Sequence, residues 1–328
     1  MTTAAGPTLT PASSGVMHIA FTADRGYLPH AAAMLDSLLV SNPGETLALY
    51  LLQGPDHAVQ DSATLERWLE TRNQRLRRVP VRDEMLEGFH TKYFHRSIWY
   101  RVLLPELLPA ASRALYIDAD TLVTAPLRPL WNTDLSGALF AAGPTPLYPF
   151  MSNWPVQKLG LPSERLYPNS GVLLMDLERM RAEGFVAALR SYARERIRGG
   201  CAEQDALAAV YHQRCHFLHP RWNAQTPLFD LAPEQLPWGR DDVQAARRSP
   251  AIVHFTGPAK PSHYLCRHPF RDAYLRHRAA TPWPLARPEG RTPLNSLLRR
   301  LPLIWEVRYA RLRAALLRRL GFDAPVTQ

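Results

Sequence analysis

Two kinds of apolar spacing alternate along the first half of the chain. The stretches "MHIAFTAD" (17–24), "TLALYLLQ" (46–53) and "LRRVPV" (76–81) are short, nearly continuous apolar runs that end in polar loops, as buried strands do. Between them, residues 27–42 and 58–72 repeat apolar positions at helical steps, with Ala33, Leu35, Leu38 and Leu39 available for packing in the first. Residues 95–108 read as a helix as far as their prolines, and "RALYID" (113–118) as the next strand. Further strands are predicted over 137–143, 170–177 and 250–257, and helices over 178–198 and 203–213. Strands alternating with helices predict an α/β fold built on a doubly wound, mostly parallel sheet.

The ends differ from this body. Residues 1–15 are rich in Thr, Ala and Pro, without a basic start or an apolar run, and read as a disordered leader rather than a signal peptide. The body is expected over 16–280, followed by a Pro-rich linker over 281–296 and a basic helical appendage over 297–328. Residues 299–320 carry seven arginines and one glutamate, a net charge of +6. Trp305, Tyr309, Leu312, Leu316 and Leu320 recur at three- and four-residue steps and form one face of a helix, bordered by Arg308, Arg311, Arg318 and Arg319. Such a helix suits an anionic membrane surface. Docking on the body as an ordinary C-terminal helix is the other reading of the same stripe.

Composition narrows the class. The chain has 328 residues, 46% of them hydrophobic, enough for a sizeable core and unlike a disordered sequence. Its net charge of +10 favours acidic partners, but more than half of that charge lies in the tail and no nucleic-acid motif accompanies it, so nucleic-acid binding is not expected. Three cysteines, Cys201, Cys215 and Cys266, suit a reducing compartment better than a disulfide framework. Cys215 sits near His212, His216 and His219; a zinc site is one reading, and a strand with incidental imidazoles is the better one without Cys-x-x-Cys spacing. No stretch has the length of a membrane span, which points to the cytoplasm, with the tail on the inner face of the membrane.

The candidate chemistry begins at "ALYIDADTLV" (114–123). Asp118 and Asp120 close an apolar run one residue apart. In extended backbone, residues two apart point the same way, so both carboxylates reach one hard cation, Mn²⁺ or Mg²⁺, at the exposed carboxyl end of a strand. A diphosphate is the natural companion of such an ion. The bland reading is a pair of surface aspartates shaping a turn. In "VHFTGPAKP", His254 ends another apolar run, and Gly257 with Lys260 suits phosphate binding.

These residues belong to an ordered set. The segments "HIAFTADRGYLPHAAAMLDSLL", "SIWYRVLLPELLP", "ALYIDADTLV", "LYPNSGVLLMDLERMR", "EQDALAAV" and "HFTGPAKP" follow one another between about residues 17 and 275. In that order they resemble the retaining family 8 glycosyltransferases, which include bacterial lipo-oligosaccharide α-galactosyltransferases and glycogenin. The resemblance implies a GT-A fold, a UDP-sugar donor and Mn²⁺ (or Mg²⁺). It also implies transfer with retention to a glycan or lipid-linked glycan acceptor of bacterial surface polysaccharide or lipopolysaccharide, with galactose or glucose as the expected hexose.

Carried over, Asp24 contacts the uracil and Tyr27 stacks on it, and Thr22, Ala23 and Ala119 join them in the donor site. Asp118, Asp120 and His254 bind the metal, and Gly257 and Lys260 hold the diphosphate. Arg101, Asn169, Ser170, Glu203 and Gln204 surround the donor sugar, with Gln204 and Glu203 as the catalytic candidates and Glu203 and Asp205 as the fallback nucleophiles. Each also has a plain structural role open to it: Asp24 as a helix cap, Tyr27 as a loop aromatic, Arg101 as a helix-surface arginine, Asn169 as turn chemistry, Glu203 as a first-turn acid. Arg25 and Gly26 depart from the galactosyltransferases, which carry an acidic residue and an asparagine there. Glu203 replaces the more usual aspartate, adding a methylene beside the sugar. A metal-dependent nucleotidyltransferase or phosphohydrolase would use the same aspartates but has no role for "PNSGV" or "HFTGPAKP".

Overall fold

A computed structural model describes residues 15–54, 59–89, 95–148, 154–196, 202–257 and 259–300. Ten strands are formed among these residues: β1 (Met17–Thr22), β2 (Leu47–Gln53), β3 (Leu76–Pro80), β4 (Arg113–Ile117), β5 (Thr121–Val123), β6 (Phe140–Pro144), β7 (Pro168–Asp176), β8 (Cys215–Phe217), β9 (Ala224–Gln225) and β10 (Ile252–His254). Seven make a central sheet in the order β3-β2-β1-β4-β7-β6-β8, and β5-β10-β9 make a small second sheet.

The continuous apolar runs have a simple cause: both faces of the central sheet are buried. Along β2, Leu49 and Leu51 enter the core under the helix Leu28–Ser41, while Ala48, Tyr50 and Leu52 enter the core on the other face. Strand β4 divides in the same way, with Leu115 and Ile117 on one side and Ala114 and Tyr116 on the other. The mostly parallel arrangement expected from sequence holds, with β7 running antiparallel to both β4 and β6.

Two predicted helices take other forms. Residues 95–108 begin as a 3₁₀ helix, Arg96–Leu103, and become α-helical only over Leu104–Leu107. Pro105 lacks the N–H that a continuous α-helix would need there and sits instead in the first turn of the second segment. The helix expected over 178–198 splits into Leu177–Ala182 and Phe185–Arg196 at Gly184, whose φ of 68° ends the first piece.

The small sheet is what assembles the site. Strand β5 starts directly after the aspartate pair and runs antiparallel to β10, with Thr121 opposite His254. The Phe255 N–H donates to the Asp120 carbonyl at 3.0 Å, so His254 is delivered beside both aspartates. Residues 281–296, read as a linker, lie on this body: Trp283 packs against the core, and the Glu289 N–H donates to the Ser262 carbonyl at 3.0 Å. The basic helix expected over 297–328 falls, from residue 301 onward, outside the described residues, as do the leader up to residue 14 and Cys201. Among the described residues no helix is long and apolar enough to cross a membrane.

Candidate active site

Asp118, Asp120 and His254 meet at the carboxyl end of β4. Each offers a ligand atom, and these atoms lie within 4.8 Å of one another, the one such cluster among the described residues. His254 Nε2 is 3.4 Å from an Asp120 carboxylate oxygen and 3.9 Å from one of Asp118. Two carboxylates and an imidazole suit a hard or borderline divalent cation. Gly171, at the start of β7, leaves the room this convergence needs. A Cβ there would stand 2.2 Å from His254 Cε1 and 2.7 Å from Asp118 Oδ2. The residues present therefore fit a divalent ion.

The expectation of exposed strand-end carboxylates needs correcting for Asp120, which is buried. Its Oδ2 accepts from Lys260 Nζ at 2.6 Å, and Lys260 also donates to the Phe255 carbonyl at 3.0 Å. Burial works against the charge of the Asp120 carboxylate. The Lys260 ammonium and His254 outweigh it and hold the carboxyl well below the usual carboxylate range. Burial likewise works against the charge of Lys260, and Asp120 reverses the balance, so the ammonium is kept. Gly257, three residues before Lys260, has a φ of 102°, a left-handed backbone that suits glycine in this turn.

Arg101 organises the neighbouring wall. It is buried, and its guanidinium pairs with both Asp118 oxygens at 3.0 and 3.2 Å while donating to the Ser170 carbonyl at 2.9 Å and hydroxyl at 3.0 Å. Glu203 Oε1 lies 3.6 Å from Arg101 and accepts from the Ser170 hydroxyl at 2.9 Å. Burial pushes the Glu203 carboxyl up, against the pull of Arg101. Asp205, the further carboxylate on the same helix, instead accepts from the Tyr167 hydroxyl at 2.5 Å.

Gln204 is held at both ends of its amide. Its oxygen accepts from Asn169 Nδ2 and from the Ser170 N–H, each at 3.3 Å, and its nitrogen donates to Thr145 Oγ1 at 3.2 Å.

The loop after β1 supplies the remaining residues. Thr22 ends the strand, and Ala23 is buried behind the loop, as Ala119 is between the aspartates. Asp24 is exposed and its Oδ1 accepts from the Tyr27 N–H at 2.9 Å, a local turn contact one step before the helix, whose N-cap is Tyr27 and not Asp24 as its plain structural reading had it. Tyr27 is partly buried, lies against His30 with ring centroids 5.5 Å apart, and has its hydroxyl raised by that burial, with Lys260 and Asp120 close enough to act on it.

Asp118, Asp120, His254, Lys260, Arg101, Asn169, Ser170, Glu203 and Gln204 thus form one connected group of hydrogen bonds and ion pairs, while Thr22, Ala23, Asp24 and Tyr27 follow one another at the end of β1 and in the loop after it. Several neighbours went unnoticed. Tyr116 donates to Asp118 Oδ1 at 2.9 Å, and the two-residue strand period that aligned the aspartates would also have found it. Gly171 adjoins the Asn-Ser pair but reads there as turn chemistry. Asn223, from the segment "HPRWNAQ", carries no periodic signal at all, yet it is hydrogen-bonded to His254 at 2.9 Å.

The chain matches the model of glycosyl transferase family 8 over residues 18–266. It is 29% identical over 286 residues to general stress protein A of Bacillus subtilis, covering 82% of this chain and 95% of that one. It is 22% identical over 285 residues to the lipopolysaccharide glucosyltransferase WaaO of Escherichia coli, covering 81% and 79%. In fold it is similar to the galactosyltransferase LgtC solved with donor and acceptor sugar analogues, at a TM-score of 0.69 and 20% identity, covering 86% of this chain and all of that one. The architecture is therefore GT-A, and the chain is a glycosyltransferase that belongs to family 8.

Proposed function

We propose that the protein is a Mn²⁺-dependent retaining hexosyltransferase that takes galactose or glucose from a UDP-sugar and adds it to a bacterial surface glycan, lipid-linked or lipopolysaccharide. The observation that carries this reading is the Asp118–Asp120–His254 cluster with the Lys260 ammonium bound to Asp120, in a chain of family 8. Relatives named as lipopolysaccharide glucosyl- and galactosyltransferases support the acceptor class. Family membership sets aside a nucleotidyltransferase or phosphohydrolase.

Asp118, Asp120 and His254 would hold the ion, which when bound neutralises the diphosphate and makes it a better leaving group. Lys260 adds a second positive charge to the departing diphosphate, and Gly257 lets the backbone come close to it. Tyr27 and Asp24 hold the uracil, with Thr22, Ala23 and Ala119 shaping the pocket. Arg101 keeps Asp118 and Ser170 in place, and Asn169, Ser170 and Glu203 meet the sugar hydroxyls. Gln204 is an amide and a poor nucleophile, so its oxygen serves to stabilise positive charge as the glycosidic bond breaks. Front-face substitution through an oxocarbenium-like state is the mechanism this favours. Glu203, buried and tied to Ser170 and Arg101, is the fallback nucleophile. The C-terminal basic helix would hold the enzyme at the inner leaflet, beside a lipid-linked acceptor.

The test is UDP release from a panel of UDP-sugars, with Mn²⁺ and with excess EDTA, by wild type and Asp120→Asn. Release from a UDP-hexose that is lost with EDTA and in the variant supports the reading. No release from any UDP-sugar, with UDP itself failing to bind, overturns it.

A further inference from the structure

The imidazole of His254 can serve a cation through Nε2 only if its other nitrogen carries the proton, and the structure shows what enforces this. His254 Nδ1 is 2.9 Å from Asn223 Oδ1. Asn223 ends the 3₁₀ turn Pro220–Asn223 and is wholly buried. Its Nδ2 donates to Asn169 Oδ1 at 2.8 Å, and Asn169 Nδ2 donates in turn to Gln204 Oε1 at 3.3 Å. One line of amides therefore joins the metal histidine to Gln204.

Its direction is set by two backbone groups that can only donate. The Gly171 N–H points at Asn169 Oδ1 at 3.0 Å, and the Ser170 N–H at Gln204 Oε1 at 3.3 Å. With the Asn169 oxygen fixed, the Asn223 atom facing it must be the nitrogen, so the Asn223 oxygen faces His254. His254 Nδ1–H must then donate, which leaves Nε2, facing the two carboxylates, as the nitrogen that can offer its lone pair to a cation.

Resting on the metal-dependent transfer proposed above, we infer that Asn223 is a positioning residue with two duties. Its oxygen fixes the tautomer and orientation of His254 for the cation. Its nitrogen, through Asn169, holds the Gln204 carbonyl in the direction used when the sugar bond breaks.

The two duties separate in two substitutions of the full chain. Asn223→Ala removes both. Asn223→Asp keeps an oxygen for His254 but sets a second oxygen against Asn169 Oδ1. Either the two oxygens repel, or Asn169 flips, loses the Gly171 N–H and turns its own oxygen on Gln204 Oε1.

Mn²⁺ affinity is read from the free-ion EPR signal during titration with UDP present, and kcat and KM from UDP-hexose turnover. For Asn223→Ala, the Mn²⁺ dissociation constant is expected to rise about 10–100-fold. For Asn223→Asp, Mn²⁺ affinity is expected to stay within about threefold of wild type while kcat falls about tenfold and donor KM changes little. A structural role alone would move affinity and turnover together in both variants.

Wild-type Mn²⁺ affinity in Asn223→Ala, or an equal loss of affinity in both variants, would overturn the assignment to His254. Unchanged kcat in Asn223→Asp would overturn the link to Gln204. If Asn223→Ala does not fold, Asn223→Leu, near-isosteric but without an oxygen for His254, replaces it in the Mn²⁺ titration with the same expected loss and the same refuting result. A wild-type chain that binds no Mn²⁺ overturns this inference and the metal reading together, whereas wild-type binding that neither variant changes overturns this inference alone.

Discussion

Gly171→Ala is the smallest change that tests whether the metal cluster depends on close packing. The added methyl would stand 2.2 Å from His254 Cε1, where ordinary contact begins at 3.4 Å, so the imidazole must retreat by about 1.2 Å. It has little room to do so. His254 is 4% exposed, and the wholly buried Asn223 lies behind its Nδ1. Overpacking of this kind costs about 1–3 kcal/mol, which in a domain of this size lowers Tm by roughly 2–5 °C. Metal affinity is affected more severely, because ligand distances tolerate only about 0.2 Å. A loss of about 100-fold in Mn²⁺ affinity, about 2.7 kcal/mol, is expected. Differential scanning fluorimetry and a Mn²⁺ titration measure the two effects. Gly239→Ala is the control, since a Cβ there meets only Asp242 Oδ2 at 3.7 Å. Wild-type Mn²⁺ binding by Gly171→Ala would refute the reasoning, because the ligands would then not need the space that glycine leaves.

Three further outcomes are expected. Gln204→Ala should lower kcat by about 10–100-fold with little change in donor affinity, because its oxygen would act mainly as charge develops; a loss confined to donor KM would mark a ground-state sugar contact instead. Burial lowers the pKa of both His30 and His268 to about 4, so the unfolded chain binds their protons first as pH falls below about 6.5. Stability is therefore full above that pH and declines toward pH 4, by up to about 3 kcal/mol for each histidine. His268→Asn, which keeps an acceptor for the Phe270 N–H, should flatten the fall of Tm between pH 7 and 4.5, and an unaltered slope would contradict the assignment. A chain truncated after Pro282 would lose the segment packed on the body as well as the basic helix, so truncation after Arg300 is the cleaner test: full-length protein should sediment with anionic liposomes at low salt and the truncated protein should not, and equal sedimentation would defeat the membrane role.

The fold was legible where burial is symmetric. Strands β1, β2 and β4 lie between two cores, so their residues are apolar on both sides and stand out as runs. The direction of β7 was hidden for the same reason, since an apolar run has no polarity that marks which way it travels. Strands β5 and β9 span only three and two residues, too few for any period to appear, and although β10 falls inside the predicted run 250–257, nothing in the sequence showed the pairing with β5 that carries His254 to the aspartates. The aspartate pair and Lys260 could be singled out because charged side chains at or just beyond the ends of apolar segments are conspicuous, and Gln204 only through the resemblance to family 8. Asn223, Gly171 and Thr145 act through contacts between segments far apart in sequence, and only the folded chain brings those contacts into view.

The central claim is transfer of a hexose from a UDP-sugar with its anomeric configuration kept. It is tested most directly by following the hexose itself. Full-length protein is incubated with Mn²⁺ and a UDP-α-hexose, the ion is stripped on a chelating resin within minutes, and the ¹H NMR signal of the anomeric proton is recorded before mutarotation. The account predicts UDP together with a newly formed α-hexose or α-glycoside. An initial β product would contradict it.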